Sequence, residues 1–570
     1  MAITRLQQLK ACQNRKELAV LLGYKPKTLA YVLYQRTPAQ NYKTFKIKKK
    51  NGGNRVIDAP NDELLFLQRR ASDLLQDCLQ DAVATEGHKS PLHHGFQRKK
   101  SIVTNAKPHR AQRFVFNIDL SDFFSTINFG RVYGFFKKNR NFQLVDEVAA
   151  TLAQICCYQG RLPQGAPTSP VASNLICQTI DYRLSKLAER YGCSYTRYAD
   201  DLTFSTSERK FPRQIGSKAI FSAQWSPGRK LNNEIKASGF LVNASKTRMQ
   251  YAQSRQTVTG LVVNKKINVT AEFARDTRAM VHSYVTKGSF YIRRVETDAN
   301  GEKKIVKDVG TAAQILGRLS HIRNVKTAEF SKSHPQPTKL AGYEETYSRL
   351  LLFDLFHFSQ TPTLIMEGKT DIIYIKAALR KLQKDYPLLI KKNKKSFDYK
   401  FKVFNFSETN KRILGIDGGS SHLAKFLSNY RKESRKFCKI QNQRPVICVI
   451  DNDSGAKPFL GWKDSSGNPI TRVGSPFHLF DNVYLILTPN PLGKTESKIE
   501  DYFTKATLGT KISGKSFNPE NIGVTEKEYG KAWFSTKVVW TKKSTIKFDH
   551  FKPLLDLINS TALKVNNPKP

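Results

Sequence analysis

The sequence contains no apolar run long enough to cross a bilayer, so no membrane-spanning helix is expected. Its opening, MAITRLQQLKACQ, lacks the apolar stretch of a secretory signal, and export is not expected either. The eight cysteines form no C-x-x-C pair, and only Cys156 and Cys157 are adjacent. This argues against a disulfide framework or a zinc site and predicts reduced thiols in a cytoplasmic protein. Acidic residues are scarce: 47 Asp and Glu stand against 94 Lys and Arg, a formal net charge of +47. An enzyme of small metabolites rarely needs that excess, whereas a polyphosphate partner neutralises it and releases counterions. The basic residues run through the whole chain and are not confined to a tail, which favours nucleic-acid binding over a merely solvated surface.

What is present fits a multidomain enzyme. At 570 residues and 39% hydrophobic composition the chain can build two to four cores. Residues 1–40 carry apolar positions at helical spacing around a Gly-Tyr-Lys-Pro break; we read them as a helical cap in preference to a helix-turn-helix. FKIKKK and RVID flank Asn51-Gly52-Gly53-Asn54 and predict a hairpin over 41–60, with helices from about 61 to 85. FVFNIDL, TRYADDLTFS and TRMQYAQ read as strands. Residues 271–355 mix helices with one polar hairpin, VETDANGEKKIV, and SKSHPQPTK reads as a linker region. Beyond Thr361, the apolar strands TLIMEG, PVICVID and NVYLILT are separated by helical or polar segments, the pattern of an α/β domain with a parallel sheet.

Two acidic sets carry chemistry. Nucleotidyl transfer needs carboxylates that converge from separate strands to hold two divalent ions. Asp119 ends the apolar strand FVFNIDL, and Asp200 and Asp201 sit in a tight turn within TRYADDLTF. Adjacent aspartates in an apolar hairpin are costly without a cation. These segments resemble reverse transcriptases: Tyr198-Ala199-Asp200-Asp201 is similar to the family's YxDD box, and Asp119 to its first catalytic aspartate. Phe124 falls where the family keeps the aromatic that excludes a ribose 2′-hydroxyl. LPQGAPTSPVASNL, with Gln164 and Gly165, resembles the box against the incoming nucleotide and template. The resemblance implies a right-hand polymerase with fingers and palm over 41–270 and thumb and linker over 271–355. It implies two Mg2+ ions on Asp119, Asp200 and Asp201, and dNTP substrates. The hairpin would set Lys49 and Arg55 over the triphosphate, and Lys246 in LVNASKTRM would neutralise or protonate the departing pyrophosphate.

Two further motifs narrow the family. Asn105-Ala106-Lys107-Pro108-His109 resembles the NAxxH motif, and Val258-Thr259-Gly260 the VTG motif, of retron reverse transcriptases. That lineage implies a structured non-coding RNA as primer and template, and a branched RNA–DNA product, multicopy single-stranded DNA (msDNA). It also implies RNA-binding roles for Asn105, His109, Val258, Thr259 and Gly260. Arg318, in ILGRLSHIRNV, is a further RNA-binding candidate in the basic thumb. A lineage tied to group II introns is the competing enzymatic reading, and NAxxH and VTG argue against it.

The second set lies over 360–570. Glu367-Gly368 follows one apolar strand and Asp451-x-Asp453 another, and parallel strand ends share one edge. Such carboxylates repel unless they hold magnesium. The pattern resembles a Toprim domain, and ILGIDGGSS its glycine-bearing middle element. IEDYF with Glu500 and YGKAWFSTKVV with Lys531 resemble segments of overcoming-lysogenization-defect nucleases. The implied function is a metal-dependent nuclease with one or two Mg2+ ions on Glu367, Asp451, Asp453 and Glu500, and with Glu367 and Lys531 in catalysis. Fused to a retron enzyme, it would be an antiphage effector; a non-catalytic binding module is the alternative. Gly493-Lys494-Thr495 mimics the end of a P-loop, but Thr488 stands where the first glycine belongs, so no ATP site is expected.

Overall fold

The computed structural model describes residues 3–48, 53–86, 92–218, 224–297, 303–330, 337–394, 396–520 and 523–565. The chain forms two compact units, 1–271 with 325–329, and 272–324 with 330–570. Most of segment 271–355 therefore groups with the second unit.

The first unit opens on short helices with well-formed N-termini. Thr4 accepts from the Gln7 amide while the Gln7 side chain accepts from the Thr4 amide, a reciprocal cap. Asn14 caps the next helix through the Glu17 amide. Leu9, Leu18, Leu22 and Leu29 of these helices share one core with Leu67 and Leu75 of α1 (Asp62–Glu86). Where the sequence suggested several helices over 61–85, one helix of 25 residues forms. Its buried Leu64, Leu67, Ala71, Leu74, Leu75, Cys78, Leu79 and Ala82 recur every three or four residues, a single stripe that pulls the whole segment onto the core.

Strands β1 (Tyr42–Lys48) and β2 (Asn54–Pro60) pair antiparallel from Tyr42 opposite Pro60 to Lys48 opposite Asn54. Most of β1 is exposed, so the hairpin stands away from the core. The central sheet contains β3 (Phe114–Asp119), β4 (Ser194–Tyr198), β5 (Asp201–Thr206) and β6 (Arg248–Tyr251), all antiparallel, in the order β4-β5-β3-β6. Buried Phe116, Ile118, Leu202 and Phe204 fix its register, since a one-residue slip would turn them outward. Helices α2 (Thr168–Ile176) and α3 (Gln178–Arg190) follow one another along the chain, and α3 packs on β4.

The second unit carries an antiparallel hairpin, Tyr291–Thr297 with Lys303–Val309, and a five-stranded sheet. Its strands are β7 (Thr363–Met366), β8 (Lys402–Val403), β9 (Val446–Ile450), β10 (Phe477–Phe480) and β11 (Val483–Leu487), in the order β8-β7-β9-β11-β10. The contacts β8-β7, β7-β9 and β9-β11 are parallel, and only the edge strand β10 is antiparallel. Leu364, Met366, Ile447, Val449 and Ile486 pack on one face with Tyr374 and Phe534. The intervening Ile365, Cys448 and Leu485 are equally buried, so both faces are covered, which is why these strands are apolar without alternation. Helices α4 (Asp371–Lys381) and α5 (Ser420–Ser434) return the chain between strands.

Candidate active sites

In the first unit, the sheet itself brings the aspartates together. Asp119 ends β3 and Asp201 begins β5, and the two are direct register partners. Ala199 adopts φ +56°, turning the chain tightly enough to leave Asp200 at the tip. The Asp200 carbonyl accepts from the Leu120 amide at 3.0 Å, tying the tip to the end of β3. Burial raises the Asp200 pKa, Asp119 adds to the rise, and Lys246 and Arg55 oppose it. Asp201 is pushed up to about 6 by burial and then by Asp200 and Asp119. Its side chain still reaches solvent, which screens part of that repulsion. Lys246 Nζ donates to Asp119 Oδ2 at 2.8 Å, and Asn243 braces the other oxygen at 3.4 Å.

The other polymerase-box residues are held by their own local contacts. Phe124 is half-buried edge-on to Phe123, with ring centroids 5.2 Å apart. The Gln164 carbonyl accepts from the Asp58 amide at 2.8 Å, so the nucleotide box is hydrogen-bonded to β2. Gly165 has φ +126°, and a Cβ there would lie 2.9 Å from the Asp58 carbonyl oxygen; only glycine fits this approach. Arg55 is exposed on β2. Lys49 lies outside the described residues.

The two short motifs are placed differently from a surface that touches RNA. Asn105 and His109 are wholly buried. His109 Nδ1 lies 2.7 Å from Ser205 Oγ, and Nε2 lies 2.8 Å from Thr196 Oγ1, so the ring bridges β5 and β4. Neither Asn105 nor His109 has an exposed side chain in this structure, and their burial gives them an internal place. Val258 is buried as well. Thr259 and Gly260 line a cavity of about 150 Å³ together with Asn117, Asp119, Asp201, Lys246 and Arg248. Thr259 also donates to the Ile102 carbonyl at 3.3 Å, which ties it to the short helix Ile102–Ala106 that carries Asn105. In the second unit, Arg318 lies 3.9 Å over the Phe273 ring and donates to Thr277 Oγ1 at 2.9 Å and the Phe273 carbonyl at 3.2 Å. Two of its guanidinium donors and the face over Phe273 are thus committed within the protein.

The second acidic cluster forms where β7 and β9 leave the sheet at a common edge. Glu367 Oε2 accepts from the Asp451 amide at 3.0 Å, and the Glu367 carbonyl accepts from the Gly419 amide at 3.1 Å. Gly415, Gly418 and Gly419 all have positive φ, which lets the glycine-bearing loop come down on this strand end. Asp451 accepts from the Ile499 amide at 2.9 Å. It is pushed up to about 8 by burial, then by Asp371, Glu500 and Glu367. Asp453 is occupied by the Gly455 amide at 2.7 Å. Glu500, on a single 3-10 turn, is almost fully buried. Lys531 Nζ stands 3.0 Å from Glu500 Oε1, yet neither carboxylate oxygen has an aligned hydrogen bond. Asp371, which sequence reasoning missed, is buried in the same cluster and accepts from the Gly368 amide at 2.8 Å. Its signal was its spacing, four residues after Glu367 at the first turn of α4.

Both clusters have the donor chemistry of a magnesium site: hard carboxylate oxygens brought together at a strand edge, with burial raising the pKa of Asp200, Asp201, Glu367, Asp371, Asp451 and Glu500. Glu500 in particular is a buried carboxylate short of partners. Among the described residues no group of three such side chains is already arranged to hold a metal ion. In the first unit, the Lys246 ammonium occupies Asp119 instead.

Comparison with known proteins defines the class first. The family model described as reverse transcriptase (RNA-dependent DNA polymerase) matches residues 47–268, which take in β2, the central sheet and the Asp119–Asp200–Asp201 site. The Retron Ec86 reverse transcriptase of Escherichia coli is 33% identical over 277 residues, 48% of this chain and 79% of that one. The Retron Mx65 reverse transcriptase of Myxococcus xanthus is 33% identical over 318 residues, 51% of this chain and 67% of that one. The chain belongs to the retron reverse transcriptase family and is an RNA-directed DNA polymerase. Among solved structures, apo telomerase from Candida Tropicalis, truncated from its C-terminal domain, aligns with a TM-score of 0.29 at 13% identity, over 41% of this chain and 56% of that one. That likeness is too weak to bear on function.

Proposed function

We propose that this chain makes msDNA from a cognate structured RNA and that its second unit is a Toprim-like, magnesium-dependent nuclease serving antiphage defence. The retron relatives and the register pairing of Asp119 with Asp201 support the first half. Two Mg2+ ions bound there would activate the attacking hydroxyl and offset charge on the transferred phosphate. The protein's part is to hold Asp119, Asp200 and Asp201 at one strand edge, to place Phe124 against the sugar, and to supply the Lys246 cation. Lys246, which holds Asp119 Oδ2 at 2.8 Å, would supply its cation to the departing pyrophosphate. Arg55, exposed on the hairpin and within the field of Asp200, suits the triphosphate.

The observation that carries the nuclease half is the shared sheet edge where burial raises the proton affinity of Glu367, Asp371, Asp451 and Glu500, and neighbouring carboxylates add to the rise at Glu367, Asp451 and Glu500. Bound magnesium would polarise a scissile phosphate and lower the pKa of an attacking water. Lys531 would face the charge that develops on the cleaved phosphate. The test is cleavage of labelled DNA and RNA by the full chain, with Mg2+ or with EDTA, for the wild type and Glu367→Ala. Mg2+-dependent cleavage lost in the variant is expected. No cleavage by either, with Mg2+ binding intact, would make the unit a binding module.

A further inference from the structure

The turn that carries the two catalytic aspartates rests on a buried polar support whose members have no part in the site described above. Arg197, just before Tyr198, is wholly buried. Its Nε and Nη2 donate to the two oxygens of Asp181 on α3, at 2.8 and 2.7 Å. Nη1 donates to Asn174 Oδ1 on α2 at 3.3 Å and to the Ala199 carbonyl at 3.1 Å. Asp181 also accepts from the Tyr195 hydroxyl at 2.9 Å, and His93 Nδ1 lies 3.7 Å away. Asn174 in turn donates to the Gly95 carbonyl at 2.8 Å. Gly95 presses directly on the turn: a Cβ there would stand 2.8 Å from the Ala199 nitrogen.

A left-handed conformation costs a residue such as Ala199 about 1 kcal/mol or more, so it persists only where its surroundings hold it. A buried ion pair is also a poor way to gain stability, because an apolar pair of similar volume often does as well or better. An apolar pair cannot, however, donate to the Ala199 carbonyl. Arg197 can, because Asp181 fixes its planar fork on the opposite side. Burial alone would raise the Asp181 pKa, but the adjacent guanidinium holds it well below the usual carboxylate range, so the pair stays charged.

We infer that Arg197 and Asp181 are positioning residues that lock the Ala199 turn and thereby aim Asp200 and Asp201 at Asp119. This inference rests on the polymerase reading of that site. The decisive variant is Arg197→Met/Asp181→Leu, which keeps volume and burial but removes both charges and the carbonyl donor. It should still unfold cooperatively, with a melting temperature lowered because Tyr195, Asn174 and the Ala199 carbonyl each lose a buried partner. On a primed RNA, kcat should fall about tenfold or more while the KM for dNTP stays within about threefold, the signature of misplaced chemistry and not of lost binding. Without metal or substrate, amide exchange in the peptide over 198–203 should be faster than in the wild type. A folded double variant with wild-type kcat and wild-type exchange would overturn the inference. If the double variant does not fold, Arg197→Lys decides. It keeps the charge but not the fork, and it should show the same two changes to a smaller degree; wild-type values there would also overturn the inference. An inactive wild type on the same primed RNA would instead contradict the polymerase reading itself.

Discussion

At the scale of single residues, the same side-chain types take opposite roles according to what surrounds them. Asp119, Asp200 and Asp201 face a cleft, whereas Asp181 is sealed with Arg197. The first three were legible in the sequence, because an acidic pair at the tip of an apolar hairpin has few structural uses. Asp181 and Arg197 were not, because their meaning is their bidentate contact between a helix and a strand far apart in sequence. His109 shows the opposite error: it was legible as a motif residue, but its place inside the sheet was not. Burial pushes the His109 pKa down to about 3, well below the ordinary histidine value of about 6.5. A folded-state pKa below the unfolded one means that the unfolded chain binds more protons on acidification. The neutral ring therefore costs nothing above about pH 7, and stability is lost as the pH falls from 6.5 toward 3. At pH 5 the loss from this one group is about 2 kcal/mol. Thermal melts from pH 7.5 to 5 should show a falling Tm, with a shallower slope in His109→Gln. Phe124 makes a sharper functional prediction. Phe124→Ala should admit ribonucleotides, raising the ratio of rNTP to dNTP incorporation at least about tenfold in primer extension. An unchanged ratio would remove Phe124 from sugar selection.

At the scale of elements, the strands were readable wherever burial on both faces made the sequence continuously apolar. VICVI and VYLIL are fully buried, and both form strands. Their order in the sheet was not readable, because pairing between distant segments leaves no local signal. The short acidic segment around Glu500 is a single 3-10 turn, too brief for periodicity to reveal. The contact between the hairpin and the nucleotide box was equally hidden, although Gly165 marked it. Gly165→Ala must relieve both a positive φ and a 2.9 Å approach to the Asp58 carbonyl. It should lower stability by about 1–3 kcal/mol. Because it displaces β2 and Arg55, it should also raise the KM for dNTP more than it lowers kcat. A wild-type Tm and KM would show that the hairpin does not depend on this contact.

At the scale of the whole molecule, the two acidic clusters lie in separate compact units. The change from mixed elements to alternating strands and helices after Thr361 was visible in sequence. The grouping of 272–324 with the C-terminal unit was not, since it depends on packing between segments that composition does not distinguish. Separate units predict separable activities. Glu367→Ala should abolish nuclease-dependent toxicity and phage protection while DNA yield stays within about twofold of the wild type. Full protection by that variant would remove the effector role from this cluster. The central claim, that the chain copies its own RNA into DNA joined to that RNA, is tested most directly by the nucleic acid it carries. The wild type and Asp200→Asn/Asp201→Asn would each be coexpressed with the cognate RNA, purified, and their bound nucleic acid sequenced. The account predicts single-stranded DNA branched from the RNA in the wild type, and RNA alone in the variant. The same DNA in both, or unbranched RNA alone in both, would contradict it.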